Sequence, residues 1–190
     1  MSITTLYFVR HAESDRSVRD GRIRPLTKRG LVDAEKLISN FENISVDIIY
    51  SSPFKRAIGT ITPLAGNRNL EIHTIEDLRE RRSDSVQSID LIEMIKMQWK
   101  DFSFTLSDGE CLNEVQERNI KAIFKLLEQN SGKSIAIATH GMALCTIMQY
   151  FNPSMSIEDV GNILPVMPYV FEMKFENTEF ISQKRLFAEN

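Results

Sequence analysis

The sequence predicts an α/β fold: a three-layer α/β/α sandwich with a mostly parallel central sheet and a small helical insertion over the active edge. Two observations predict it. Short β-branched or apolar runs alternate with stretches whose apolar residues recur at helical spacing. Two of those runs, Leu6 to Val9 and Ile135 to Ala138, lead directly into short histidine-bearing strings, Arg10-His11-Ala12-Glu13-Ser14 and Thr139-His140-Gly141. Strand carboxyl ends converge on one edge of a parallel sheet, where ligands bind. Histidines far apart in the chain are therefore expected to meet in one pocket.

The first strand is expected over Thr5 to Arg10, which is β-branched and aromatic. The charged stretch from Asp15 to Arg24 reads as a loop. Pro25 and Leu26-Thr27 then open a helix with Thr27 as N-cap, followed by Leu31, Ala34, Leu37, Ile38 and Phe41 at helical spacing. Val46 to Tyr50 is a second strand. Ser51-Ser52-Pro53 looks like a serine cap with proline at the first helical position, and Pro63 is expected to end or kink that helix.

Leu70 to Thr74 is a weaker strand leading into Asp77-Leu78-Arg79-Glu80-Arg81-Arg82. In the less regular stretch 83–108, Ile89, Ile92, Met94, Ile95 and Trp99 suggest one amphipathic helix, a cap above the sheet. A long helix follows from Glu110, stopped by Ser131-Gly132-Lys133. Ser134 to Thr139 is the most apolar strand, and a helix runs from Gly141 to about Tyr150. Tyr169 to Phe175 and Phe180 to Lys184 alternate as a hairpin. The 190 residues read as a single domain spanning 1–190 with the insertion at about 83–108.

Composition is that of a soluble globular chain, with 42% apolar and 26% charged residues. The net charge of −3 excludes a chain built as a whole to coat nucleic acid, but permits a local arginine cluster that attracts a small anion. No signal peptide or membrane-spanning apolar run is recognisable. Cys111 and Cys145 lack metal-ligand spacing and read as ordinary thiols of a reducing compartment. The expected location is the cytoplasm, with no nucleic-acid or membrane partner.

The chemistry concentrates on a few residues. Neutral imidazole is a nucleophile toward phosphorus, and a covalent intermediate splits one difficult displacement into two easier ones. His11 is the candidate nucleophile, and cations such as Arg10 favour its neutral form. His140 precedes a helix opened by Gly141, where backbone N–H groups hold anions. It is the candidate donor to phosphoryl oxygens. Arg56 lies in the first turn of the helix after Ser51-Ser52-Pro53, placed to offset phosphoryl charge. Glu80 is the candidate general acid: a nearby phosphate favours its protonated form, whereas Arg79, Arg81 and Arg82 favour the carboxylate. His73 has no arginine or glycine beside it and reads as structural or exposed. Each of these residues taken alone has an ordinary structural explanation; together they fill every role that phosphoryl transfer needs.

At these residues the chain resembles the histidine phosphatase superfamily, also called the phosphoglycerate mutase-like family. Arg10-His11-Ala12-Glu13-Ser14 is similar to its Arg-His-Gly-Glu-Ser/Thr signature, with Ala12 in place of the usual glycine. Leu26-Thr27 with Gly30, Ser51-Ser52-Pro53-Phe54-Lys55-Arg56-Ala57, Leu78-Arg79-Glu80, Gly109-Glu110-Cys111 and Thr139-His140-Gly141 follow in family order. The resemblance implies His11 as the phosphorylated nucleophile and Glu80 as proton donor. It implies Arg10, Arg56 and His140 as the phosphate pocket, with no metal and no cofactor.

Ser17 stands where many members carry a phosphate-binding asparagine, and its shorter hydroxyl reaches phosphate only by closer approach or through water. Arg22, Arg24, Arg81 and Arg82 are candidates for binding a second anionic group of the substrate, with solvated surface charge as the alternative. Glycolytic mutases are longer and carry Glu-Arg-His-Tyr-Gly after the acid; here Glu80-Arg81 is kept and Arg82-Ser83-Asp84 diverges. The sequence therefore favours a phosphatase of small phosphorylated metabolites over a cofactor-dependent phosphoglycerate mutase. A phospho-ligand binding or regulatory module without turnover is the reading from another class, opposed by the intact His11, Glu80 and His140. The apolar residues of the insertion leave two uses open, a lid or a homodimer interface.

Overall fold

The computed structural model describes residues 2–83 and 90–187. Its elements are β1 (Ile3–Arg10), α1 (Lys28–Asn40), β2 (Ile48–Ser51), α2 (Lys55–Arg68), β3 (Ile72–Thr74), a 3₁₀ turn (Glu76–Leu78), α3 (Leu91–Lys100), α4 (Leu112–Gln129), β4 (Ser134–Thr139), α5 (Gly141–Phe151), α6 (Ile157–Ile163), β5 (Tyr169–Glu176) and β6 (Glu179–Leu186). The strands form one six-stranded sheet in the order β3-β2-β4-β1-β5-β6. β3, β2, β4 and β1 run parallel, while β5 and β6 close the sheet as an antiparallel hairpin.

Side-chain alternation in the central strands divides the core into two layers. Leu6 and Phe8 of β1, with Ile135 and Ile137 of β4, pack under α4, α5 and α6 through Ile123, Leu127, Leu144, Ile147 and Val160. Tyr7, Val9, Ala136 and Ala138 face the other way, onto Leu37 of α1, Phe41 just after it, and Ile61 and Leu64 of α2. Every one of these strand residues is nearly or fully buried. The small Ala136 and Ala138 let α2 approach the sheet beside the strand ends.

Several local expectations need correction. Leu31 is 54% exposed, because the buried stripe of α1 is Gly30, Ala34 and Leu37, about a hundred degrees round the helix. Pro63 does not end α2: Ile61, Leu64 and Ala65 are buried on both sides of it, and that packing carries the helix to Arg68. The cap of α2 is Phe54, with Pro53 outside the helix. The amphipathic insertion helix is α3, which buries Met94, Ile95 and Gln98 but leaves Ile92 64% exposed. Ile89 lies outside the described residues. His73 is exposed on the edge strand, against the ring of Tyr50.

Candidate active site

Three parallel strands end together. Arg10 and Thr139 form the last register pair of β1 and β4, and the His11 amide then donates to the Thr139 carbonyl at 3.0 Å. Beyond β2, the Ser52 amide donates to Ala138 O at 2.8 Å. This continuation brings the rings of His11 and His140 to 5.4 Å between centroids. The Phe54 ring packs edge-on against His140 at 5.1 Å and carries the Arg56 guanidinium over its face at 5.0 Å.

The turn after β1 is tied down from two sides. Thr27 N–H donates to Glu13 O at 3.0 Å, and Thr27 Oγ1 donates to Glu13 Oε1 at 2.6 Å. A Cβ at Gly30 would sit 2.1 Å from the Glu13 carbonyl oxygen, so only glycine allows α1 to approach this turn. On the other side, Ala12 N–H donates to Thr60 Oγ1 at 2.9 Å, and Thr60 donates on to Arg56 O at 2.7 Å.

His11 Nδ1 lies 2.7 Å from Ala12 O. A carbonyl oxygen only accepts, so Nδ1 carries the proton and Nε2 keeps its lone pair. Burial first, then Arg56, with Arg10 and Arg24 adding, pushes the imidazole pKa down to about 3. His11 is therefore a neutral base with a free ring nitrogen, in a strongly cationic setting.

His140 is fully buried and is also held neutral, by burial first and then by Arg56. Ser52 Oγ accepts from Phe54 N–H at 3.3 Å and lies 2.7 Å from His140 Nε2. The imidazole nitrogen is the acceptor within reach of the Ser52 hydroxyl proton. That assignment places the His140 proton on Nδ1, a buried nitrogen with no partner among the described residues. Ser52, expected as a helix cap, instead sets this tautomer.

Arg10 is clamped by Nη1, which donates to the carbonyls of Ile163, Leu164 and Val166 at 3.1, 2.6 and 2.8 Å. Its buried Nε has no partner among the described residues. A Cβ on Gly141 would lie 2.7 Å from Leu164 Cδ2 and 3.2 Å from Arg10 Nε, so any larger residue where α5 begins must displace the Leu164 side chain and crowd Arg10. Arg56 donates through Nη1 to Gly21 O at 2.5 Å, and burial lowers its pKa to about 10, leaving it charged.

Glu80 sits at the amino end of α5. Its Oε1 accepts from Arg81 N–H at 2.9 Å and Ala143 N–H at 3.1 Å; Oε2 accepts from Met142 N–H at 3.2 Å. The helix terminus expected to hold phosphate is thus shared with the candidate acid, and Gly141 is the residue of that first turn that lines the cavity together with Met142.

The segment carrying Glu80 is itself anchored by residues that the sequence reading left without a role. Arg118 Nη1 donates to Asp77 O at 2.7 Å and Arg79 O at 2.8 Å. Glu110 bridges Arg79 and Arg118 and accepts from Arg82 N–H at 2.8 Å. Burial opposes the charge on Glu110, but the two guanidinium groups and the amide hold its carboxyl down at about 2.

Arg10, His11, Arg56, Glu80 and Gly141 line a cavity of about 720 Å³. Arg10, Arg16, Arg24, Arg56 and Arg81 line it against two carboxylates, Glu13 and Glu80, so an anion is favoured there although the chain is acidic overall. Arg24 lines it with Nε held by Val18 O at 2.8 Å.

Of the expected site residues, the fully buried His140 and Ser17, Arg22 and Arg82 are not among the described residues that line it. Ser17 is exposed, and its hydroxyl donates to Asp15 Oδ1 at 2.7 Å in a local turn that a short side chain cannot leave while keeping that bond. Arg22 forms a two-pronged pair with Glu76 at 3.0 and 2.6 Å on the surface. Arg82 is exposed and donates to Asp108 O at 2.8 Å.

The model of the histidine phosphatase superfamily (branch 1) matches residues 6–179. Phosphoglycerate mutase-like protein 4 of Arabidopsis thaliana is 27% identical over 180 residues, covering 87% of this chain and 77% of its own length. The uncharacterized phosphatase PhoE of Bacillus subtilis is 27% identical over 150 residues, covering 77% and 76%. Among solved structures, Bacillus stearothermophilus YhfR superposes with a TM-score of 0.75 at 26% identity, over 94% of each chain.

Proposed function

This chain belongs to the histidine phosphatase superfamily, and from that premise we propose that it hydrolyses small-molecule phosphomonoesters through a phosphohistidine on His11. The Nε2 lone pair of His11 forms a bond to phosphorus while the ester P–O bond breaks. Protonated Glu80 gives its proton to the departing alkoxide. In the second half, Glu80 takes a proton from water, the new P–O bond forms, the P–N bond breaks, and the electron pair returns to Nε2. Arg10, Arg56 and His140 stabilise charge on the transferred phosphoryl oxygens. Nucleophile, proton donor and countercharge all come from side chains, so neither step calls on a metal.

One pair of atoms carries most weight in this reading. His140 Nδ1 and Arg10 Nε are buried donors without partners among the described residues. Buried donors are nearly always paired, and phosphoryl oxygens would satisfy both. The chain acts as a single domain with 83–108 as its cap, and the unpaired thiols of Cys111 and Cys145 support a cytoplasmic location.

A panel of phosphomonoesters, assayed with a metal chelator present, tests the proposal. Wild-type protein should release inorganic phosphate, and His11→Ala should not. Ordinary hydrolysis by His11→Ala would defeat it. Isomerisation of 3-phosphoglycerate that depends on a bisphosphorylated primer, without net phosphate release, would favour a mutase instead.

A further inference from the structure

We propose that the preferred substrate is an amphipathic phosphomonoester, the phosphate ester of an apolar, hydroxyl-poor body that carries a second acidic group. The proposal rests on the phosphatase reading of the same cavity. Phosphate needs only the inner end, formed by His11, Arg10 and Arg56. The rest of the 720 Å³ is within the range of a whole small-molecule ligand.

Part of the lining is apolar: Leu91, Met94 and Ile95 of α3, Leu106, Met142 and Met167. Methionines fill against ligands of varied outline. The uncharged polar side chains lining the cavity among the described residues are Ser14 and Ser83. A sugar body placed against such a wall would lose water from several hydroxyls and find few partners. An alkyl or aryl body loses nothing of that kind and gains from burial.

Arg81 adds the second requirement. It lines the cavity, is only 7% exposed, and its guanidinium pairs with no carboxylate among the described residues. Arg81 is thus a further cation of the cavity lining, beside Arg10 and Arg56 of the proposed phosphate cradle. A carboxylate or second phosphate on the ligand would match its fork of donors.

The test measures kcat/KM of the purified protein on straight-chain alkyl phosphates from ethyl to hexyl, on hexyl phosphate bearing a terminal carboxylate, and on glucose phosphorylated at its primary alcohol. All are esters of primary alcohols, so leaving-group chemistry varies little. The expected result is a rise of roughly two- to fourfold per added methylene. Hexyl phosphate should exceed the glucose ester by about tenfold or more. The carboxylate should add about tenfold in wild type and little in Arg81→Gln, with partial retention in Arg81→Lys. Leu91→Ser, at a half-exposed rim position, should flatten the chain-length slope.

A flat slope, preference for the glucose ester, or a carboxylate gain that survives in Arg81→Gln would overturn the proposal. If all esters are hydrolysed equally well through His11, this inference falls and the phosphatase reading stands. If none is hydrolysed and no phospho-His11 forms, both fall.

Discussion

Ser52 and His140 are joined by a 2.7 Å contact between Oγ and Nε2, wholly inside the protein. With the serine hydroxyl donating to Nε2, the ring proton sits on Nδ1, the donor that the proposed mechanism uses toward the phosphoryl group. Ser52→Ala should lower kcat by roughly ten- to a hundredfold, the effect of leaving one buried nitrogen unpaired and the tautomer free. Steady-state kinetics with a thermal melt checks this; an unchanged kcat would mean that another group sets the tautomer.

The low pKa of His11 has two consequences. Its value near 3 in the fold lies below the roughly 6.5 of an unfolded histidine. Between those values the unfolded chain binds the extra proton, so stability rises with pH through the window and is lost as pH falls through it. The kcat/KM profile should accordingly lack a limb from His11 protonation between about pH 7 and pH 5. Arg56→Met should raise the His11 titration toward the ordinary value, observable by imidazole NMR. A wild-type ring titrating near 6.5 would contradict the burial described here.

A methyl group on Gly141 would press on the side chains of Leu164 and Arg10, at 2.7 and 3.2 Å, so that both must shift. Gly141→Ala should push Arg10 off its clamp and weaken competitive inhibition by inorganic phosphate about tenfold, at a cost of ~1–3 kcal/mol in stability. Equilibrium unfolding and phosphate inhibition, measured on one preparation, test both effects. Unaltered phosphate affinity would show that Arg10 does not touch the anion.

Glu110 neutralises Arg79 and Arg118 beneath the segment that carries Glu80. Glu110→Gln should destabilise the fold by about 2–3 kcal/mol, because two partly buried guanidinium groups lose their charged partner. Denaturant unfolding measures it. A change below ~1 kcal/mol would place the pair among ordinary surface contacts.

Glu80→Gln should slow esters with poor leaving groups far more than p-nitrophenyl phosphate, whose phenolate departs without a proton. Comparison of kcat for the two substrate types checks the role. Equal slowing of both would remove Glu80 as the general acid.

Much of this site is legible in the sequence because it sits at strand ends. Apolar runs followed by His11 and His140, and a serine string after β2, mark the edge where parallel strands stop. What escapes is the support from distant parts of the chain. The α6 segment that clamps Arg10 lies 153 or more residues away, and a helix of seven residues leaves little periodicity to read. Its one signal is the capping box of Ser156 and Asp159. Ser17 misleads for the opposite reason: its position follows the family pattern, but the nearby Asp15 takes its hydroxyl. Arg22 and Arg82 look like ligand-binding cations until Glu76 and the Asp108 carbonyl are placed beside them.

The account stands or falls on covalent phosphate at His11. Rapid quenching during turnover of a labelled phosphomonoester, followed by peptide mapping under alkaline conditions, reads it directly. An acid-labile, base-stable phosphate on the peptide containing His11, absent from His11→Ala, is the predicted result. Full turnover with no such adduct, or with the label on another residue, would contradict it.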